Sequence, residues 1–178
     1  MKQIIDAAKK LDGKVVCVGV KDREILSALS RNSNADIFTI DRIIYKSLFF
    51  KNKKAYLPDG KKINMKNIKK VFKKKSVDYV ICDLNEIYEY FKYFLSNSVI
   101  INKKTLYIYG TSRFIDPKVL ASRYHRYGAT TETIIDGDEF IIIVDNSTSK
   151  TNWFKDKWYL MVDTFHNMGD MISTSLTG

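Results

Sequence analysis

Two carboxylates stand where a parallel sheet would present them for chemistry. Asp41 follows the apolar run Ala35 to Ile40, and Asp83 closes the run Val77-Asp78-Tyr79-Val80-Ile81-Cys82. A strand-end acid lies at the crevice beyond the carboxyl edge of such a sheet, where ligands bind. There it can accept hydrogen bonds from hydroxyls or stand beside a reacting centre. Gly19 is the third candidate. It follows Val15-Val16-Cys17-Val18 and leads into Val20-Lys21-Asp22-Arg23. A glycine at that place lets backbone approach a ligand closely. Each candidate also has a plainer reading. Asp41 and Asp83 can be solvated strand ends or helix caps, and Gly19 a glycine that simply follows a buried strand. The stretch Tyr109-Gly110-Thr111-Ser112-Arg113 belongs to the same edge, as a substrate contact or as a plain turn.

Other chemistries find little support. His125 and His166 lie on predicted helices without metal-like spacing, so no metal site is expected. Nothing matches a P-loop, a nucleophile elbow or a zinc cluster. Cys17 and Cys82 sit inside apolar runs and read as buried core thiols, neither paired nor metal-bound.

The elements that must position these residues follow from the apolar pattern. Ile4, Ile5, Ala8 and Leu11 recur at helical spacing before Gly13. Val15 to Val20 is a mostly β-branched run, suited to a strand buried on both faces. Asp22 caps a helix that turns Ile25, Leu26 and Leu29 inward, and Ala35 to Ile40 is a second strand. Ile43 to Phe50 is apolar and fits helix or strand. A third strand fits near Ala55–Leu57, before a short basic helix over 63–75. Val77 to Cys82 is again a strand, followed by an aromatic helix over 86–95 and a strand over 105–109. Asp116-Pro117 opens a helix that Gly128 stops. Residues 129–135 and 139–144 then form a hairpin around Gly137. Strand-helix-strand units of this kind favour a parallel sheet. The expected fold is α/β: a doubly wound, mostly parallel sheet ending in an antiparallel hairpin. Residues 1–145 make that domain. From Asn146 to 178 a polar linker and a helix from Lys155 to about Asn167 pack on it.

This order resembles the class I S-adenosylmethionine (SAM) methyltransferases, a Rossmann-like family whose seven-stranded sheet ends with its last strand inserted antiparallel. The resemblance spans roughly residues 13–145. Gly19 matches the first glycine of the family's loop. Cys17 stands where that motif has an acid, and Lys21 and Arg23 stand where it has further glycines. Asp41, 22 residues after Gly19, falls where the family's acid binds the ribose hydroxyls. Asp83 falls where an acid stands beside the methyl donor. The resemblance therefore implies SAM as cofactor, held by Gly19, Val20, Lys21, Asp41, Arg42 and Asp83, with Asp83 also catalytic. Leu84-Asn85-Glu86 follows Asp83 in place of the proline and aromatic common among base N-methylating members. Methyl transfer is one reading. A second is the same fold kept as a non-catalytic module that binds RNA or a protein. A third is another nucleotide at the same edge.

Charge adds a partner to these readings. The chain of 178 residues carries a net charge of +10. The stretch from Lys51 to Lys75 holds eleven lysines and one acid, so all the excess lies there. Lys61, Lys62, Lys66, Lys69, Lys70, Lys73 and Lys74, interleaved with aromatics, suit RNA phosphates and bases. An anionic membrane surface would attract the same lysines. So would no partner at all, since 24 lysines against 6 arginines is also what an AT-rich genome encodes. No apolar stretch approaches the roughly 18 residues of a membrane span, and the first residues lack signal-peptide architecture. A cytoplasmic protein is expected. The aromatic helix over 86–95, with Trp153 and Trp158, offers surface for a homodimer contact or a lid.

Overall fold

The computed structural model describes residues 1–40, 72–87, 97–113 and 115–147. The elements in order are α1 (Lys2–Ala8), β1 (Gly13–Val18), α2 (Arg23–Arg31), β2 (Ala35–Ile40), β3 (Val77–Asp83), α3 (Leu84–Ile87), β4 (Asn102–Thr111), α4 (Pro117–His125), β5 (Thr130–Asp136) and β6 (Glu139–Asp145). A further helical turn covers 97–101. Asp41, Arg42 and the lysines from 51 to 70 lie outside the described residues. So do the expected third strand, the aromatic helix beyond Ile87, and the chain from 148 on.

The described strands form one sheet of six, in the order β2-β1-β3-β4-β6-β5. The first four run parallel, and β6 lies antiparallel between β4 and β5. This is the expected α/β sheet with its terminal hairpin. Alternation along each strand sends side chains to two separate cores. Val15 and Cys17 join Ile81, Tyr109 and Ile141 beneath α1 and α2. Val16 and Val18 join Cys82, Ile108 and Ile142 beneath α4 and the 97–101 turn. Cys17 and Cys82 therefore point to opposite faces, and both are buried free thiols. Burial drives the Cys17 thiol up to about 12 and raises Cys82 as well.

Local signals explain the helices. Asp22 accepts from the amides of Glu24 and Ile25 at 2.8 and 3.0 Å, capping α2. Asp116 accepts from the amide of Lys118 at 2.8 Å, with Pro117 at the first turn of α4. In α2, Ile25, Ala28 and Leu29 are buried, whereas Leu26, expected to face inward with them, is half-buried. Gly128 has φ +76° and ends the turn after α4, as expected of a helix stop.

Three boundaries differ from the sequence pattern. β1 ends at Val18, because Gly19 turns to φ +67°. β4 is longer than its apolar run, from Asn102 to Thr111. Its polar start is held by side chains: the Asn102 amide donates to the carbonyls of Asp78 and Thr105 at 3.1 and 3.0 Å. Asn146, where the linker was expected to begin, is 1% exposed. It donates to the carbonyls of Val99 and Asn102 at 2.8 and 2.9 Å.

Candidate functional site

Parallel pairing brings the ends of β1, β2, β3 and β4 to one edge of the sheet. The amide of Gly19 donates to the carbonyl of Ile40 at 2.9 Å, joining the β1 exit to the β2 exit directly before Asp41. Asp83 ends β3, in register with Tyr109 of β4. The carboxyl edge thus gathers Gly19, Asp83 and the Tyr109-Gly110-Thr111 stretch, as the sequence suggests.

Asp83 has two roles here. Its Oδ1 accepts from the amide of Asn85 at 3.0 Å and so starts α3. Its carboxyl is also partly buried, and burial pushes its pKa to about 6. The amide of Asn85 opposes that shift, and Glu86 adds to it. Tyr109 stands beside it. The phenol is 4% exposed and its hydroxyl is buried. It lies within hydrogen-bond reach of Asp83 and helps to hold that carboxylate ionised. Burial, then the charge of Asp83, raises the tyrosine pKa.

A cleft of about 540 Å³ opens over this pair. Asp83, Tyr109 and Gly110 line it from β3 and β4, Phe140 and Ile141 from β6, and Ile134 from β5. Asp22, Asp136, Glu139 and Lys2 line it as well. Asn85 anchors its wall: its Oδ1 accepts from the amide and hydroxyl of Thr111 at 3.0 and 3.2 Å. Sequence reasoning passed over Asp136 and Glu139. The acid-rich turn Asp136-Gly137-Asp138-Glu139 was the available signal.

Of the Gly19 loop, Asp22 lines this cleft, whereas Gly19, Val20 and Lys21 are not among its described lining residues. A Cβ on Gly19 would come within 2.9 Å of Glu86 Cβ and 3.0 Å of Ile87 Cγ2. The glycine is therefore required by the close approach of the β1 exit to α3, in addition to its positive φ. Lys21, where the family motif has a glycine, forms an ion pair with Glu86. Cys17, where that motif has an acid, faces the core beneath α1 and α2. The donor set at the edge still fits SAM in kind. Asp83 and Asp22 are acids suited to a sulfonium or ammonium group, whereas Lys21 is engaged by Glu86.

Of the lysines expected to contact RNA, Lys73 and Lys74 are described, and both are exposed. They precede β3, whereas Asp83 ends it. The strand separates them from the cleft by about 20 Å at roughly 3.3 Å per residue. His125 lies away from the cleft, with Nε2 2.6 Å from the Thr131 hydroxyl. Among the described residues no group of three or more metal-ligating side chains forms, and no helix is long and apolar enough to cross a membrane.

Fold and edge together define a class: the chain has the Rossmann-like fold of the SAM-dependent methyltransferases, with the hairpin inserted at the end of a parallel sheet. No family model and no curated protein matches the sequence. The likeness is to solved structures. An O-methyltransferase family protein from Burkholderia thailandensis superposes with a TM-score of 0.53 at 11% identity, over 84% of this chain and 57% of that one. A T. thermophilus 16S rRNA methyltransferase in complex with AdoMet and guanosine gives 0.54 at 11%, over 84% and 40%. A SAM-dependent methyltransferase from Aquifex aeolicus gives 0.54 at 15%, over 81% and 87%. The chain thus spans about half the length of the first two and most of the third.

Proposed function

We propose that this chain is a SAM-dependent methyltransferase whose reaction centre is Asp83. The observation that carries the reading is the half-buried Asp83 carboxylate beside the buried Tyr109 phenol, under a cleft at the carboxyl edge of this fold. SAM would supply an electrophilic methyl group on a sulfonium. Gly19, Val20 and Lys21 would hold it from the β1 exit, and Asp41 and Arg42 from the residues after β2. Methyl transfer depends above all on alignment of the acceptor. Asp83, anchored through Oδ1 to the Asn85 amide, supplies a fixed acceptor of hydrogen bonds. With a pKa near 6 it is ionised at neutral pH, yet basic enough to take a proton from the acceptor.

Calorimetric titration with SAM and S-adenosylhomocysteine tests this. Saturable binding that Asp41→Ala abolishes is expected. A folded protein that takes up neither compound at millimolar concentration overturns the reading.

The alternative is a non-catalytic module that uses the basic segment to bind RNA. The Lys21–Glu86 pair favours it, since it ties the loop to α3 where the family has free glycine backbone. Lys73 and Lys74, exposed across the sheet from Asp83, suit an RNA path remote from the cleft. Changing Lys69, Lys70, Lys73 and Lys74 to glutamine should then weaken RNA binding and flatten its salt dependence. A homodimer through the aromatic segments and residence in the cytoplasm complete either reading. The two unpaired thiols suit a reducing compartment.

A further inference from the structure

We propose that Asn85 is the specificity-determining residue of this site: with Asp83 it holds a hydroxyl group on an apolar molecule, and that hydroxyl is the methyl acceptor. The acceptor role rests on the reading of Asp83 given above; the hydroxyl site itself does not.

Hydrogen bonding fixes which way the Asn85 carboxamide faces. Its oxygen accepts from the Thr111 amide at 3.0 Å and from the Thr111 hydroxyl at 3.2 Å. A backbone amide can only donate, so the atom facing Thr111 is Oδ1 and the other is the amino group. That amino group makes no hydrogen bond among the described residues, and Asn85 is exposed and lines the cleft. Gly110 makes room for this arrangement. A Cβ there would come within 3.0 Å of Leu84 Cβ and 3.3 Å of Asn85 Oδ1. Bare backbone at Gly110 lets the carboxamide lie against β4, with its N–H bonds left for the cleft and solvent.

Asp83 supplies the complementary group. Its Oδ1 is held by the Asn85 amide at 3.0 Å, and the Glu86 amide and the Tyr109 phenol also approach the carboxylate. A carboxylate has about four acceptor directions, so one remains for the cleft that Asp83 lines. The wall therefore offers a donor on Asn85 and an acceptor on Asp83. A hydroxyl satisfies both at once: its oxygen accepts from Asn85 while its proton points to Asp83. An ether oxygen has no proton to give, and an ammonium has no lone pair to offer. Ile134, Phe140 and Ile141 supply apolar wall for the rest of the molecule. In the transfer the O–CH3 bond forms and the S–CH3 bond breaks, its electron pair staying on sulfur. The hydroxyl proton passes to Asp83, so no further reactant is needed.

Three probes of similar shape test the pair: 2-phenylethanol, its methyl ether and 2-phenylethylamine, titrated by calorimetry at pH 7.5 into the full chain. The alcohol is expected to bind at least fivefold more tightly than either of the others. Asn85→Asp keeps an oxygen facing Thr111 and replaces only the amino group. It should weaken the alcohol at least fivefold and make the amine the preferred probe. Asn85→Ala should weaken the alcohol as much, with no gain for the amine. An asparagine that only tied α3 to β4 would move all three probes alike, so the order of the probes is the readout. Circular dichroism and melting temperature verify the fold of each variant. The proposal is overturned if the alcohol does not bind at millimolar concentration, or if the ether binds as well as the alcohol. It is also overturned if a folded Asn85→Asp protein keeps the parent order. SAM titration separates the two levels. Alcohol binding without SAM binding removes the acceptor role together with the methyltransferase reading and leaves the hydroxyl site; SAM binding without alcohol binding does the reverse.

Discussion

Replacing Asp83 with asparagine should make the folded chain more stable at neutral pH while removing the methyl transfer proposed for it. Burial holds the carboxyl at about 6, against 3.8 for a solvated aspartate. A carboxyl with a higher pKa in the folded state binds its proton more tightly there than when unfolded. Its contribution therefore favours folding at low pH and is lost as pH rises from 3.8 through about 6. A gap of about two pKa units corresponds to about 3 kcal/mol. The carboxyl is partly open to solvent, which screens it, so about 1–2 kcal/mol is the share to expect. For a chain of this size that is roughly 3–6 °C in melting temperature. Asparagine keeps the shape, and its oxygen can still accept from the Asn85 amide. Urea unfolding of parent and D83N from pH 4 to 8 measures the effect, with the difference between them as the quantity of interest. D83N should gain on the parent between pH 4 and 6 and stay ahead above. A variant less stable than the parent at pH 7.5, or a difference that does not change with pH, would refute the reasoning. The same substitution should abolish methyl transfer, because asparagine cannot take a proton at neutral pH.

Gly19→Ala should cost about 2–3 kcal/mol in urea unfolding, since alanine must adopt φ +67° with Glu86 Cβ at 2.9 Å; a neutral result would show that the β1 exit can shift. Lys21→Ala should change stability by less than about 1 kcal/mol, because its ion pair with Glu86 is largely exposed. Asn32→Ala should cost about 2–3 kcal/mol, read from chemical unfolding, because it orphans the carbonyls of Ala8 and Leu11. Cys17 and Cys82 should react with a thiol reagent only as fast as the chain unfolds, since both are buried and their thiolates disfavoured. Rapid labelling of the native protein would contradict the two-core arrangement.

Much of the architecture was legible in the sequence because its signals are local. The apolar runs of β1 and β3 are short, β-branched and largely buried on both faces, a pattern that does not depend on partners. Asp22 and Asp116 announce their helices because a cap acts within three residues. Strand ends were less legible where a side chain elsewhere fixes them. Asn102 extends β4 beyond its apolar run by hydrogen-bonding to β3, and no periodicity reports that.

Asp83 at the end of an acid-closed strand was the sequence's own contribution to the site. Its neighbours were decided in three dimensions. Tyr109 faces Asp83 because β3 and β4 pair in parallel with those residues in register. Glu139 reaches the same cleft because β6 inserts antiparallel beside β4 and sets Glu139 opposite Thr111. Asp136 follows through the hairpin. A residue type and a short run can state that a carboxylate will stand at a strand end. Which groups meet it there depends on strand order and register, which arise from pairing over more than fifty residues of chain, and only the folded sheet specifies them.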